Sequence, residues 1–389
     1  MKAEIIAVGS ELLTPHRQDT NSLFLTEQLN KLGIEVVRKT VVGDQREQIR
    51  DAFKEALSRV GLVISIGGLG PTEDDLTRET VAELLGRKLQ LSNAILRGIQ
   101  ERFRRFGREM PEVNKRQAMV PDGAEPLDNP RGTAPGLWIE HQSQIVVLLP
   151  GPPGELKPMF TTRVEPRLAG YAAGRRLYKR ELRVAGMAES DVEQRIAPIY
   201  TQFTEAETTL LASPGEIQVH LRAWSEDVAA AEKLLNEMTE RIRMALGEAV
   251  FTTEGESLEE VVARELTLNN STIAVAESCT GGLLAERLTS IAGSSSYFLG
   301  GVVCYANNLK TAWVDVPAEI IEAKGAVSAE VARALAEGIR RRSGAALGLG
   351  VTGIAGPAGG SAEKPVGTVH IALASGDGGK ERGFHGIKI

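Results

Sequence analysis

The stretch Gly67-Gly68-Leu69-Gly70-Pro71-Thr72-Glu73-Asp74-Asp75 comes directly after an apolar run, Leu62–Ile66. This order predicts a buried strand that ends in a glycine-rich turn, with a helix beginning near Thr77. Glycines let backbone amides approach a phosphate closely, and a helix N-terminus favours an anion. Adjacent carboxylates suit a hard divalent cation that bridges phosphate oxygens. A simple helix cap needs only one Asp, so the turn indicates a phosphate site.

The bulk composition sets the class of protein. The chain has 389 residues, which predicts about two or three domains with ample core. Its net charge is −6, and no block rich in lysine and arginine is present, so general nucleic-acid binding is disfavoured. Cys279 and Cys304 cannot form a disulfide framework or a cysteine-rich zinc site. We see neither a signal-peptide pattern nor a long charge-free apolar stretch, so we expect a cytoplasmic protein without a membrane partner.

The first part of the chain alternates strands and helices. The predicted order is strand, helix, strand, helix, strand: Ile5–Val8, Asn21–Leu32, Glu35–Val42, Gln45–Arg59 and Leu62–Ile66. A later strand, Ile145–Leu149, leads into a second turn, Pro150–Glu155. Such an order predicts a parallel α/β sheet with ligand groups at the carboxyl ends of its strands.

The middle of the chain has a different pattern. Strands are predicted at Tyr178–Val184, Thr208–Ala212, Ile217–Ala223 and Ala249–Thr252, and helices at Glu189–Tyr200 and Asp227–Leu246. The β-α-β-β-α-β order suggests a small ferredoxin-like unit. It holds no cluster of chemically active side chains, so we expect it to act as a spacer or a dimerisation unit.

A third unit begins near Gly255. The pattern predicts a helix from a Ser257 cap to about Leu268, strands at Thr272–Ala276, Gly300–Tyr305, Ala346–Val351 and Val366–Ala374, and a helix at Ser328–Arg342. Glycine-containing turns again follow strands, as in Ala276–Gly282 and Thr352–Pro357. This part is therefore a second α/β unit.

Taken together, the turns Gly67–Asp75, Pro150–Glu155 and Ala276–Gly282 resemble those of the CinA (competence/damage-inducible) family over nearly the whole chain. The resemblance implies an α/β chain. Its parts are a three-layer molybdopterin-binding-like domain over residues 1–171, the ferredoxin-like α+β domain over 175–252, and a three-layer deamidase-like domain over 255–389. It also implies two hydrolase activities of pyridine-nucleotide (NAD) salvage: ADP-ribose pyrophosphatase in the N-terminal domain and nicotinamide mononucleotide (NMN) deamidase in the C-terminal domain.

A pyrophosphatase must neutralise phosphates and activate a water, and metal ions do both. The candidate ligands for a divalent Mg, Mn or Co ion are Asp75, Asp44, Glu11 and Asp74, of which Asp75 and Asp44 are also the catalytic candidates. Asp44 is equally consistent with a turn-capping role. The candidates for substrate binding are Gly67, Gly68, Gly70, Thr72, Asn21, Asn114 and Gln117. For the last three, a helix cap or a surface role is about as plausible.

Deamidation is acyl transfer to water, which needs a nucleophile, a base and an oxyanion stabiliser. The resemblance implies Ser278 as nucleophile, Lys310 as base and Tyr305 as the group that orients or relays the proton, with Thr352 completing the site and no cofactor. Thr280, Gly281 and Gly282 would supply backbone N–H donors. Taken alone, Ser278 is more typical of a helix cap, and Lys310 of an exposed lysine. Cys279 is the rival nucleophile, although no histidine lies near it in sequence.

The sequence ends at Phe384–Ile389. Members of the resembled family continue from Phe-x-Gly into a basic segment and a last helix, which carries an arginine for the substrate phosphate. Lys388 is a poor replacement for a bidentate arginine, so we expect impaired NMN binding unless a partner subunit supplies the charge. We also expect a homodimer. The alternative to an enzyme is a non-catalytic nucleotide- or pterin-binding protein with a structural C-terminal domain.

Overall fold

The computed structural model describes residues 1–171 and 174–376. The described chain divides into two compact units. The first comprises residues 1–179, 200–208 and 221–240, and the second comprises 180–199, 209–220 and the described residues from 241 onward. No helix among the described residues is long and apolar enough to cross a membrane.

The N-terminal elements run in chain order as follows: β1 (Lys2–Val8), α1 (Thr20–Lys31), β2 (Glu35–Val42), α2 (Arg46–Arg59), β3 (Leu62–Ile66), α3 (Thr77–Leu84), β4 (Leu89–Leu91), α4 (Asn93–Arg105), β5 (Met119–Pro121), β6 (Glu125–Leu127), β7 (Gly136–His141), β8 (Gln144–Leu149), α5 (Pro153–Met159) and α6 (Glu165–Leu168). The strand order of the main sheet is β2-β1-β3-β8-β7-β6. The neighbours from β2 to β8 pair in parallel, whereas β7 is antiparallel to both β8 and β6.

This sheet has helices on both faces. On one face, Leu25 and Leu29 of α1 and Leu156 of α5 pack against strand residues such as Ile5 and Ile64. On the other face, helices α2 and α3 pack against residues of β1, β3 and β8. β3 is buried along its whole length, and four of its five residues are apolar, the exception being Ser65. The N-terminal part therefore has the expected three-layer α/β architecture.

The middle elements are β9 (Arg176–Ala185), α7 (Glu189–Tyr200), β10 (Ala206–Ser213), β11 (Glu216–Ser225), α8 (Val228–Leu246) and β12 (Val250–Thr252). Their sheet has the order β10-β11-β9-β12, with β12 antiparallel to β9. The first strand therefore lies between the third and the fourth, which is the split arrangement of a ferredoxin-like unit.

The C-terminal elements are α9 (Leu258–Leu268), β13 (Ile273–Glu277), α10 (Leu283–Thr289), β14 (Phe298–Val303), α11 (Asn307–Val314), α12 (Ala318–Lys324), α13 (Ala329–Ser343), β15 (Leu347–Gly353) and β16 (Val369–Ser375). The sheet order is β14-β13-β15-β16, parallel except for β16. Helices α11 and α13 cover one face, and α9 and α10 cover the other.

The C-terminal strands are displaced by about one to three residues from their predicted bounds, and the displacement of β14 affects a candidate site residue. We expected a strand at Gly300–Tyr305, whereas β14 runs from Phe298 to Val303. Its parallel pairing with β13 ends where Val303 lies opposite Glu277. Tyr305 therefore lies in the connection between β14 and α11 rather than in the sheet.

Candidate active sites

The N-terminal site is a cavity of about 380 Å³ at the carboxyl ends of β1, β2, β3 and β8. These strand ends meet because the four strands are parallel neighbours. The cavity brings together nine of the predicted residues: Glu11, Asp44, Gly67, Gly68, Gly70, Thr72, Asp74, Asp75 and Gln117. Pro150, Gly151, Pro152 and Glu155 of the second turn line it as well.

The glycine turn presents backbone donors to this cavity. Gly67 and Gly68 have φ values of 95° and 67°, a conformation that favours glycine. The amides of Gly68 and Gly70 donate to no other residue in the described part of the chain. The expected donor role of Gly67 needs correction, because its amide donates to Leu149 O at 2.9 Å, which ties β3 to β8.

The carboxylates of the cavity are held by their own turns. Asp44 Oδ2 accepts from Ser10 N at 2.7 Å, and Ser10 Oγ accepts from Asp44 N at 3.1 Å, which joins the turns after β1 and β2. Asp75 Oδ2 accepts from Thr72 N at 2.9 Å and from the Thr72 hydroxyl. The pKa of Asp74 is lowered, chiefly by the Thr72 side chain.

The fit of these carboxylates to a metal ion depends on what else binds the ion. Among the described residues, no three His, Cys, Asp or Glu side chains form a group that could hold a metal. Glu11, Asp44, Asp74 and Asp75 nevertheless line one cavity. Mg²⁺ is usually bound by one or two carboxylates together with substrate phosphates and water, so a complete protein cage is not required. The donor set therefore fits a divalent ion that binds together with a phosphate substrate.

A basic side chain fastens the acidic turn from outside the cavity. Arg116 donates to Thr72 O at 2.6 Å and to Asp75 O at 3.2 Å, and its guanidinium lies 3.4 Å from Glu79. Arg78, which is 1% exposed, lies 4.0 Å from the same Glu79 carboxylate. Burial lowers the pKa of Arg78. The turn that carries Asp75 is thus fixed by positive charge.

Two predicted asparagines do not line the cavity. Asn21 donates from Nδ2 to Gly151 O at 2.7 Å, so it supports the second turn. Asn114 is buried and donates to Gln117 Oε1 at 2.9 Å, so it positions Gln117. Both act on residues that reach the cavity, which differs from the direct substrate contact that we expected.

Sequence reasoning missed a loop that walls this cavity, Asn129–Ala134. Asn129 is 9% exposed; its Nδ2 donates to Ala134 O at 2.8 Å and to Glu155 Oε2 at 2.7 Å. Its Oδ1 accepts from the amides of Arg131 and Gly132. The run Asn-Pro-Arg-Gly-Thr-Ala-Pro-Gly from Asn129 to Gly136 was the available signal, because such a dense set of turn residues fixes a loop.

The C-terminal site lies where β14, β13 and β15 end. Ser278 follows β13 and its amide donates to Val351 O at 3.0 Å, next to Thr352 on β15. The amide of Cys304, after β14, donates to Glu277 O at 2.9 Å. Lys310 reaches the same edge from α11. The parallel register therefore places the strand ends that carry Ser278, Thr352 and Tyr305 side by side.

Lys310 is a buried lysine that pairs with no carboxylate among the described residues. It is 1% exposed, and its Nζ donates to Cys304 O at 3.0 Å and Tyr305 O at 2.8 Å. Burial lowers the pKa of Lys310, against a smaller opposing effect of the thiols of Cys304 and Cys279. A lysine can act as a base when its environment favours the neutral amine.

The surroundings of Ser278 favour it over the neighbouring cysteine as nucleophile. Ser278 is 8% exposed, and its hydroxyl makes no hydrogen bond within the described chain. Burial and the charge of Glu277 raise the pKa of the Cys279 thiol, which disfavours the reactive thiolate. Thr352 donates from its hydroxyl to Ala326 O at 2.8 Å, so it ties β15 to the segment before α13.

Three expected roles at this site are corrected. The amide of Gly281 donates to Ser278 O at 3.2 Å and that of Gly282 to Glu277 Oε2 at 3.1 Å, so neither is free for an oxyanion. The amide of Thr280 takes part in neither of these two hydrogen bonds. Tyr305 is 68% exposed and contacts Lys310 through its carbonyl rather than its hydroxyl.

Sequence reasoning also missed Glu277, which is 1% exposed. Its carboxylate accepts from the amides of Gly282, Leu284 and Ala285 at 2.8–3.1 Å. A carboxylate suits the positive end of a helix, so Glu277 fixes the start of α10 and the turn that carries Ser278. The end of the chain, Phe384–Ile389, lies outside the described residues.

Comparison with known proteins agrees with these architectures. Residues 4–170 match a probable molybdopterin binding domain, 179–252 the damage-inducible protein CinA KH domain, and 255–386 the CinA C-terminal domain. A CinA-like protein from Koribacter versatilis is 48% identical over 378 residues, which cover 96% of this chain and 91% of that protein. The chain belongs to the CinA family.

Other proteins are similar to this CinA-family chain over all or part of its length. A CinA-like protein from Acidobacterium capsulatum is 50% identical over 380 residues, covering 96% of this chain and 92% of its own. A crystal structure of CinA from Thermoplasma acidophilum is 34% identical and covers 43% of this chain and 97% of its own, with a TM-score of 0.41.

The KH match refines the interpretation of the middle domain. KH domains hold RNA or DNA with a Gly-x-x-Gly loop. Within residues 179–252 the glycines are Gly186, Gly215 and Gly247, so this spacing does not occur. The match describes the fold of the middle domain and adds no nucleic-acid motif to it.

Proposed function

We propose that the N-terminal domain of this CinA-family chain hydrolyses ADP-ribose to AMP and ribose 5-phosphate. The observation that carries the proposal is one cavity in which the amides of Gly68 and Gly70, which donate to no other described residue, share a wall with the carboxylates of Glu11, Asp44 and Asp75. Amides bind phosphate oxygens, and carboxylates bind the cation that a diphosphate carries.

Each residue that lines or supports the cavity has a role in the proposed reaction. One or two of the four carboxylates of Glu11, Asp44, Asp74 and Asp75, with Asp75 first, would hold a divalent cation together with the substrate phosphates. Such a cation neutralises phosphate charge and lowers the pKa of a bound water. Gly68 and Gly70 hold the phosphate by their amides, and Gln117 contacts a sugar hydroxyl. Arg116 keeps the acidic turn in place through Thr72 O and Asp75 O.

The test compares two isosteric substitutions in the same turn. Asp75→Asn removes a charge from the cavity, whereas Glu73→Gln removes a charge from a side chain that is 96% exposed and does not line the cavity. We expect ADP-ribose hydrolysis with Mg, Mn or Co in the wild type and in Glu73→Gln, and loss of turnover in Asp75→Asn. Full activity of Asp75→Asn, or activity without a metal, contradicts the proposal. Binding of ADP-ribose without hydrolysis in the wild type supports the non-catalytic alternative.

The C-terminal domain supports a second activity, deamidation of NMN. The observation in its favour is Lys310, a buried amine with a lowered pKa and no described carboxylate beside it, at the strand ends near Ser278. Ser278 Oγ would attack the carboxamide carbon while neutral Lys310 accepts the hydroxyl proton, and the Thr280 amide would stabilise the oxyanion. The C–N bond would then break to release ammonia, and water would hydrolyse the resulting ester of Ser278. Release of ammonia from NMN by the wild type, lost in Ser278→Ala and kept in Cys279→Ala, is the expected result. Loss in Cys279→Ala with activity kept in Ser278→Ala would assign the reaction to the cysteine.

A further inference from the structure

A second cavity lies beside the phosphate site in the N-terminal domain. Its volume is about 540 Å³, within the range of about 300–1,000 Å³ that is typical of small-molecule sites. Helix α4 forms one wall with Ile95, Gly98 and Ile99, and Leu127 with the following loop forms the other. None of the residues that the sequence analysis selected lines this cavity.

The two cavities meet at one residue. Thr133 lines both of them. At the same place, Asn129 and Gly132 line the second cavity, and Glu155 lines the phosphate site. The 2.7 Å hydrogen bond from Asn129 to Glu155 therefore holds the common wall. Thr133 is therefore the residue that a ligand would pass if its diphosphate lay in the first cavity and the rest of it in the second.

The lining of the second cavity suits a flat aromatic group. Ile99 and Leu127 are buried apolar residues, and prolines flank them at positions 126, 130 and 135. Arg105 stands at the rim and forms no hydrogen bond or ion pair with any other described residue. A guanidinium stacks on aromatic rings, and an apolar floor accepts their faces. The acidic groups of Glu101 and Asp128 can accept hydrogen bonds from an exocyclic amine or ribose hydroxyls.

We propose that this second cavity binds the nucleobase, with its ribose, of the diphosphate substrate. The proposal rests on the proposed pyrophosphatase function, and it makes the domain selective for diphosphates that carry an aromatic base.

The test fills the cavity and measures binding of AMP to the full chain by calorimetry. A side chain at Gly98 would begin in open space, since a Cβ there meets no atom within 4 Å, so Gly98→Trp fills the cavity without a backbone clash. Gly61→Trp is the matched control. Gly61 also has open space around its Cβ position, but it precedes β3 and so lies at the amino ends of the strands, away from the cavity. We expect at least tenfold weaker AMP binding in Gly98→Trp and unchanged binding in Gly61→Trp.

A second variant, which is not expected to disturb folding, tests the proposal if Gly98→Trp fails to fold. Arg105→Gln changes an exposed side chain and should weaken AMP binding several-fold. Equal AMP affinity in Gly98→Trp and wild type, or no AMP binding by the wild type, overturns the proposal. Because AMP binding needs no turnover, a failure of the pyrophosphatase function appears separately, as absence of ADP-ribose hydrolysis. Hydrolysis with the same KM in Gly98→Trp and wild type keeps the function and overturns the nucleobase site.

Discussion

The side-chain amide of Asn129 donates to Glu155 Oε2 at 2.7 Å, which joins the loop after β6 to the turn after β8. Asn129 is 9% exposed and uses both its donor and acceptor atoms. Asn129→Ala removes the hydrogen-bond partner of Glu155 and of the backbone groups that Asn129 contacts, so we expect a loss of about 1–3 kcal/mol in the free energy of unfolding. Urea denaturation measures this loss.

The same substitution should also lower ADP-ribose hydrolysis, because Asn129 positions the wall of the phosphate site. The control is Asn93→Ala, at an exposed asparagine of α4, which should change neither quantity. Stability and activity equal to wild type in Asn129→Ala would show that the loop holds its shape without this residue.

Gly68→Ala tests the need for glycine in the phosphate turn. Gly68 has φ 67°, and a Cβ would lie 2.0 Å from Thr77 Oγ1 at the start of α3. The backbone must shift, so we expect a lower unfolding temperature and loss of ADP-ribose hydrolysis. Gly61→Ala, in open space, should keep both. Normal activity in Gly68→Ala would mean that the turn adapts.

The pH dependence of NMN deamidation should follow Lys310. Burial lowers the pKa of this lysine, and only the neutral amine accepts a proton, so kcat/KM should rise with pH through a pKa below the ordinary lysine value. Lys310→Arg keeps a charge that does not titrate, so we expect a loss of about 10²–10⁴-fold and no rising limb. A rising limb that persists in Lys310→Arg would assign the base to another group.

The same shift predicts how stability depends on pH. The folded-state pKa lies below the unfolded-state pKa, so the unfolded chain holds more protons between the two values. The contribution of Lys310 to the free energy of unfolding therefore increases as pH rises through this interval. In Lys310→Met, which does not titrate, the stability curve should lack that increase.

Glu277→Gln tests the fixation of the Ser278 turn. The carboxylate accepts from three backbone amides, and an amide side chain cannot accept them all. Because hydrogen bonds to a charged group contribute about 1.5–3 kcal/mol each, we expect a clear loss of stability together with slower NMN deamidation. The control is Glu286→Gln, at an exposed residue of α10, the helix whose start Glu277 holds. Wild-type kinetics in Glu277→Gln would exclude a positioning role.

We expect a homodimer in solution. Within the described chain, β10 is an edge strand of the middle sheet and exposes Leu211, so its outer side offers unpaired backbone groups and apolar surface. Sedimentation at micromolar concentration should give twice the chain mass, and Leu211→Lys should lower the measured mass toward that of the monomer. A wild-type chain that sediments as a monomer contradicts the expectation.

Local features of the sequence determined much of the fold. The bounds of β3 and β2 were predictable to the residue, because each strand is followed directly by glycine. The Ser257 capping box likewise marked the start of α9. Tyr305 was placed wrongly, because the end of β14 depends on its register with β13 and not on its own residues.

The sequence by itself determined the alternating α/β order, the glycine turns and the set of acids at strand ends, since these depend on neighbours in the chain. Only the tertiary structure decided which amides have no partner among the described residues: those of Gly68 and Gly70 have none, whereas those of Gly67 and Gly282 donate to Leu149 and Glu277. It alone placed Asn129 against Glu155 and opened the cavity along α4. Such contacts join residues far apart in the sequence, and their distances are set by how strands and helices pack rather than by any local pattern.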